Sequence, residues 1–184
     1  MPDHIVRLMW MLVMTIWVGA ATETGMPVST KRDRRSDAAV VAVWIGWLAL
    51  LVRKFGDGPQ LLPRIMFVRL IGVGVTFAGL AFAVCARFYL GRNWSAYISL
   101  ALAHKLIRTG PYALVRHPIY SGFMFALIGS VLNFGHLRSL IAAALIVAAW
   151  VYKSGLEEDF MLEHFGADYE QYRHDVKRLI PKVW

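Results

Sequence analysis

Five apolar runs, at 5–21, 38–52, 65–90, 119–134 and 137–152, take up about half of this 184-residue chain and constrain its fold more than any motif does. Apolar sequence on that scale has two outlets, the core of a soluble helical bundle or a bilayer. Composition favours the bilayer. Apolar residues make up 58% of the sequence and mean hydropathy is +0.50, against about 45–50% apolar in ordinary soluble domains. Several runs fall short of the roughly 20 residues that cross a membrane unaided, and their aromatic and basic flanks extend them into the interface. The sequence therefore predicts an all-α integral membrane protein of about five transmembrane helices. A short cytoplasmic helical C-terminal tail follows the last span, and residues 1–184 form a single multi-pass domain.

Arg7, near the start of the first run, would also suit a secretory signal. Gly19-Ala20-Ala21 is the nearest approach to a cleavage site, however, and four further runs need the membrane in any case. The net charge of +8 invites a nucleic-acid reading, which its layout opposes. Lys31, Arg32, Arg34 and Arg35 lie between runs one and two, and Arg87, Arg92, Lys105, Arg108 and Arg116 between three and four. Lys153, Arg173, Lys177, Arg178 and Lys182 follow run five. Arg7, Arg53, Lys54, Arg64, Arg69 and Arg138 fall on the other side. The positive-inside rule then places the N-terminus outside and the C-terminus in the cytoplasm. Basic loops of this kind serve topology and anionic headgroups, so membrane lipids are the expected partners and nucleic acid is not.

Cys85, the single cysteine, sits mid-run, which removes disulfide and cysteine-zinc chemistry and leaves a packing role. In the third run Gly74 precedes Ala78 by four residues and Gly79 precedes Ala83 by four, a spacing that lets helix backbones approach closely within one molecule. Arg69 and Arg87, near the ends of that run, are read as snorkelling to headgroups.

Polar chemistry concentrates in 104–120, HKLIRTGPYALVRHPIY, which faces the double carboxylate Glu157-Glu158 across the cytoplasmic side. Thr109-Gly110-Pro111 is turn chemistry, and Pro118 suits the first turn of the fourth helix. Arg116 and His117 then stand at a helix N-terminus, a natural seat for a carboxylate or phosphate, or simply an anchor in the headgroup region. After run five the helix continues through Lys153 to Phe165, with Gly166 as a stop. Lys153 and Glu157 share a face and pair, weakly if exposed. Acidic groups this close to the membrane edge mark a functional site with a cationic partner.

His104 to Tyr120 with its GPY and RHPIYSG elements, then Glu157-Glu158, Phe165-Gly166, Tyr169, Tyr172 and Pro181, resembles the isoprenylcysteine carboxyl methyltransferase family and the related phospholipid methyltransferases. The resemblance covers about half the chain, from Asn93-Trp94-Ser95 onward. It implies a multi-pass enzyme that methylates a lipidic acceptor using S-adenosylmethionine. By the same resemblance His104, Lys105, Leu106 and Ile107 line the cofactor pocket, with Tyr112, with His117, Pro118, Ile119 and Tyr120, and with Glu157. Arg116 matches the arginine beside HPxY that the family needs for activity, so Arg116 and Glu157 are the expected catalytic pair. Lys153 and Glu158 fall on the substrate side. Animal enzymes of the family carry an arginine where this chain has Lys153, and a lysine lacks the bidentate fork for a carboxylate.

The residues suit that chemistry. S-adenosylmethionine presents a sulfonium, an amine and a carboxylate, so its site needs both signs of charge beside an apolar wall for the adenine. Methyl transfer is an in-line displacement whose catalyst aligns the acceptor and excludes water. The acceptor would enter between helices from the bilayer and the cofactor from the cytoplasm. A prenylated cysteine, an amine headgroup, an isoprenoid acid and a small thiol all remain open as acceptor. Competing readings are a phospholipid amine N-methyltransferase, a membrane reductase using NADPH and a non-catalytic scaffold. A histidine metal or haem site is disfavoured because no HxxxH pair lies in a span.

Overall fold

The structure is a computed structural model and describes residues 2–21, 27–30, 34–52, 56, 58–91, 99–101 and 106–184. Each apolar run becomes one helix: α1 (Pro2–Ala21), α2 (Arg34–Leu51), α3 (Met66–Leu90), α4 (Pro118–Phe134) and α5 (Leu137–Phe165). A nine-residue α6 (Ala167–Asp175) follows. The helices overrun the apolar runs where polar residues form their ends. α1 starts at Pro2, whose missing N–H costs nothing in a first turn, and α2 starts at Arg34 with Asp37 against its positive end. The short segments β1 (Pro27–Thr30) and β2 (Ser99–Ala101) pair antiparallel, an addition to the helical architecture that no alternation in the sequence announces.

On length and composition α3 and α5 can each cross a membrane, and α4 is apolar but shorter. α5 is 29 residues long, so its apolar part, 137–152, is followed by a polar extension that carries Lys153, Glu157 and Glu158. Gly166, at φ +51°, ends it as expected.

α3 and α4 meet along a seam of small residues. A Cβ built on Gly79 would lie 2.4 Å from the Ala126 nitrogen, and one on Gly129 would lie 2.4 Å from the Thr76 nitrogen, so the two backbones touch. Gly72 and Gly122 make equally close approaches to Asn133 and Ala83. Of the two pairs read from the sequence, Gly79 and Ala83 are in this seam, whereas Gly74 and Ala78 are on the exposed side of α3. The reason is angular: at about 100° per residue Gly74 is turned by about 200° from Gly72 and by about 140° from Gly79, so it lies on the far side from both. Thr76 Oγ1 donates back to the Gly72 carbonyl at 2.8 Å, satisfying the hydroxyl inside the seam.

Aromatic rings fill the centre. Trp10, Trp47, Phe123 and Trp150 come from four helices, with Trp10 edge-on to Trp47 and Phe123 stacked on Trp150 at 5.3 Å. The Trp10 indole donates to Ser130 Oγ at 2.8 Å, so its one polar atom is paired inside the core. Neither arginine of α3 snorkels as the sequence suggests. Arg69 is ion-paired with Asp3 and donates to the Asn133 carbonyl at 3.3 Å. Arg87 is buried and donates to the Gly91 carbonyl at 3.1 Å. Cys85 lies on the exposed face of α3 and is not a packing residue.

Candidate functional site

The polar site forms where the lead-in to α4, the extension of α5 and the segment after α6 converge. Its lead-in is a tight turn, Gly110–Ala113. Gly110 has φ +60°, and an added Cβ would sit 2.6 Å from the Tyr89 ring, so only glycine fits on both counts. Tyr89 also pairs with the Thr109 hydroxyl at 2.7 Å, which fixes this turn to the end of α3. Tyr112 is buried, and its carbonyl accepts from the Tyr172 hydroxyl of α6 at 2.6 Å.

Pro118 then opens α4, as predicted, and leaves Arg116 and His117 outside the helix beside the C-terminal segment. Their backbone nitrogens donate to the Lys177 and Arg178 carbonyls at 2.8 and 3.1 Å. The Arg116 side chain faces the same way. Its Nε donates to Glu158 Oε1 at 2.8 Å, and its Nη1 donates to the Arg173 and Val176 carbonyls. Ser121 adds a bond to the Leu179 carbonyl at 2.6 Å, and Leu179 is buried beneath. Residues 173–179 are thus bound across the start of α4.

Six of the residues predicted from sequence come together here: Arg116, His117, Tyr120, Lys153, Glu157 and Glu158. Glu157 Oε1 accepts from the Tyr120 hydroxyl at 2.6 Å and from Lys153 Nζ at 2.9 Å. Lys153 also reaches the Tyr120 oxygen at 3.2 Å. His117 bridges both glutamates, with Nδ1 3.5 Å from Glu157 Oε2 and Nε2 3.1 Å from Glu158 Oε1. An imidazole whose two nitrogens both face carboxylates satisfies them only when both carry protons, so the geometry assigns the cation. The rings of His117 and Tyr120 stack at 5.7 Å, and Tyr120 stacks on Trp150 at 5.9 Å, which joins the cluster to the aromatic core.

Charge compensation outweighs burial throughout. Burial alone would drive Glu157 toward its neutral form, but the Lys153 ammonium and the His117 imidazole hold its carboxyl far below the usual range. Glu158 is likewise resisted by burial and depressed by His117 and Arg116. Burial opposes charge on His117 and on Lys153, and the glutamates override it, raising both. The Lys153–Glu157 pair is therefore not the weak surface pair that spacing alone suggests, because Lys153 is buried.

The anion expected at Arg116 and His117 is, in this fold, the chain's own Glu158, which also has Arg178 at 3.5 Å and Arg173 at 3.9 Å. Glu157 differs. Its side chain is 25% exposed against 7% for Glu158, so it is the carboxylate of the pair that an incoming cation can reach. Pro118 and Ile119 are buried at the root of α4, and Leu106 and Ile107 are half-buried as the chain enters the turn. His104 and Lys105, and Asn93-Trp94-Ser95 at the start of the resemblance, lie outside the described residues. Sequence reasoning overlooked Trp150 and Arg178. Trp150 stands one turn before Lys153, a helical neighbour that spacing can identify. Arg178 reaches Glu158 only through the fold of the last segment, and no local pattern marks it.

Comparison with known proteins matches the same region. The sequence model of the phospholipid methyltransferase family matches residues 67–168, which spans α3 to the start of α6. A probable protein-S-isoprenylcysteine O-methyltransferase of Oryza sativa subsp. indica is 31% identical over 125 residues, covering 66% of this chain and 65% of the relative. The protein-S-isoprenylcysteine O-methyltransferase of Schizosaccharomyces pombe is 36% identical over 83 residues, covering 44% of this chain and 34% of the relative. Methanethiol S-methyltransferase 1 of Bradyrhizobium diazoefficiens is 42% identical over 71 residues, covering 38% and 24%. This chain thus spans less than two thirds of the length of each. The solved structure of the eukaryotic intramembrane Ras methyltransferase, isoprenylcysteine carboxyl methyltransferase, has the same fold with a TM-score of 0.59 at 24% identity, covering 80% of this chain and 53% of that one. With the family's sequence model matched over more than half of its residues, the chain belongs to the phospholipid methyltransferase family.

Proposed function

We propose that this protein is an integral membrane methyltransferase that transfers a methyl group from S-adenosylmethionine to a lipidic acceptor, with the carboxylate of an isoprenylcysteine-like molecule as the favoured target. One observation carries the reading: a partly exposed, ionised Glu157 held by Tyr120, Lys153 and His117 at the polar end of an aromatic core, inside the segment this chain shares with methyltransferases. The residues meet the cofactor's need for an anion and for an apolar wall. Glu157, whose side chain is partly exposed, offers a carboxylate for an amine or sulfonium. Leu106, Ile107, Tyr112, Pro118 and Ile119 provide an apolar wall for an adenine, and His104 and Lys105 join the set by sequence.

Bound S-adenosylmethionine would supply an electrophilic methyl carbon. The chain's own part is positioning and the exclusion of water. His117 and Tyr120 fix the Glu157 carboxylate from two sides, and Arg116 holds 173–179 over the site, which keeps solvent from the reacting groups. Glu158, expected on the substrate side, serves this reading by anchoring Arg116 and His117. Lys153 is the ammonium nearest the apolar interior, and its charge favours an anionic acceptor. A carboxylate needs no general base to accept a methyl group. In this reading five helices span the bilayer, the N-terminus is outside, and the site faces the cytoplasm beside the exposed apolar surfaces through which a lipid arrives.

The test is incorporation of label from methyl-labelled S-adenosylmethionine by the purified protein supplied with membrane extract. The expected product partitions into organic solvent and releases volatile methanol in mild base, as an ester does. Label confined to water-soluble products would sink the lipidic acceptor. Turnover that instead depends on NADPH would sink the methyl donor.

A further inference from the structure

A second concentration of charge lies at the other end of α5, where Arg138 stands nineteen residues before Glu157, about 28 Å at 1.5 Å per residue. A cavity of about 60 Å³ opens there, lined by Asp3, Arg7, Arg64, Phe134, His136 and Arg138 among others. Its three guanidiniums come from α1, from the segment before α3 and from the first turn of α5. Asp3, the carboxylate among the lining residues, is ion-paired with Arg69, so the balance at the cavity is positive. The N-terminus of α5 opens on the same place, its cap residue His136 making no side-chain capping bond to the helix, and adds the positive end of a 29-residue helix.

Arg7 and Arg138 donate to the Leu51 and Val52 carbonyls at the end of α2, and Arg7 also lies over the Phe134 ring at 5.2 Å. Those contacts alone would explain both as caps of α2. Arg64 touches neither carbonyl. Its Nε donates to Gln60 at 3.1 Å and its Nη2 pairs with His136 at 3.2 Å, which leaves Nη1 without a partner among the described residues.

We propose that this cavity binds a phosphate group, free or on a lipid headgroup. Guanidiniums from three directions and a helix N-terminus suit a tetrahedral oxyanion with oxygens on every side better than a planar carboxylate. The exposed apolar residues Phe67 and Leu70 at the start of α3, and Leu140 and Ile141 at the start of α5, provide a surface for acyl chains beside it.

The full chain in detergent is titrated, with thermal unfolding as the readout, against inorganic phosphate, a short-chain phosphatidylglycerol and the diacylglycerol of the same chains. Phosphatidylglycerol raises the melting temperature saturably and diacylglycerol does not. An equal response to inorganic phosphate supports a free-phosphate site, and a much weaker one supports the headgroup. Arg64→Gln, on an exposed side chain, leaves the unliganded protein folded and weakens the response about tenfold. Arg138→Gln is the second variant. No saturable response to either phosphate compound, or one that both variants retain in full, overturns the proposal.

Discussion

Lys153 and Glu157 show why spacing understates a pair. Separated by one turn, they form an ordinary intrahelical contact. Buried against Tyr120, with His117 on the far oxygen, they form one charge-balanced unit. Removing one member strands the other. Lys153→Met is expected to destabilise the protein by about 2 kcal/mol, below the usual cost of breaking a buried pair because Glu157 keeps some solvent contact. The double variant Lys153→Met/Glu157→Leu should recover most of that. Thermal unfolding of the four members of the cycle checks it, and purely additive effects would refute the coupling. The pH dependence has two sides. His117 is raised above its ordinary 6.5, so its contribution is complete below that value and is lost as pH rises through the folded pKa. The two glutamates are depressed below 4.5, so theirs is present above 4.5 and is lost on acidification. His117→Gln should flatten the alkaline limb of a stability–pH curve and leave the acid limb. An unchanged alkaline limb would show that His117 is not the titrating group.

At the scale of elements, the α3–α4 seam and the C-terminal segment make opposite demands. Gly79→Ala and Gly129→Ala each place a methyl against backbone and should cost about 2 kcal/mol, whereas Gly74→Ala meets nothing within 4 Å and should cost none. A melting series that ranks the three alike would remove the seam. The Arg116 side chain holds segment 173–179 through the Arg173 and Val176 carbonyls, while Glu158 on α5 fixes the guanidinium. Limited proteolysis should therefore cut Arg116→Ala within it and spare Glu157→Ala. Elements set by local chemistry were legible in the sequence: Pro118 starting α4, the Gly110 turn, the run of α5 to Phe165 and its stop at Gly166. Half of the seam was readable on α3; its partners Gly122 and Gly129 stand seven residues apart in the fourth run, the same two-turn spacing as Gly72 and Gly79, and that signal was overlooked. Contacts that join distant segments, such as Asp3 with Arg69 or Arg178 with Glu158, leave no local trace. For the same reason Arg116 was legible as a helix-end cation, while its partner inside the fold was not.

Across the whole molecule, the two polar ends of α5 divide the protein into faces of different chemistry. With five spans, single cysteines placed at position 3 and position 183 of a Cys85→Ala chain should react with an impermeant maleimide from opposite sides of sealed vesicles. Labelling from the same side would require an even number of crossings. The glycine seam bears on this larger scale too. Because backbone meets backbone at Gly72, Gly79, Gly122 and Gly129, sliding α3 past α4 by a single residue would drive side chains into main chain at several places together. The pair behaves as a keyed joint with one seating. Any rearrangement that admits a bulky guest has to take place at the other helix boundaries, where side chains, unlike peptide groups, can swing aside.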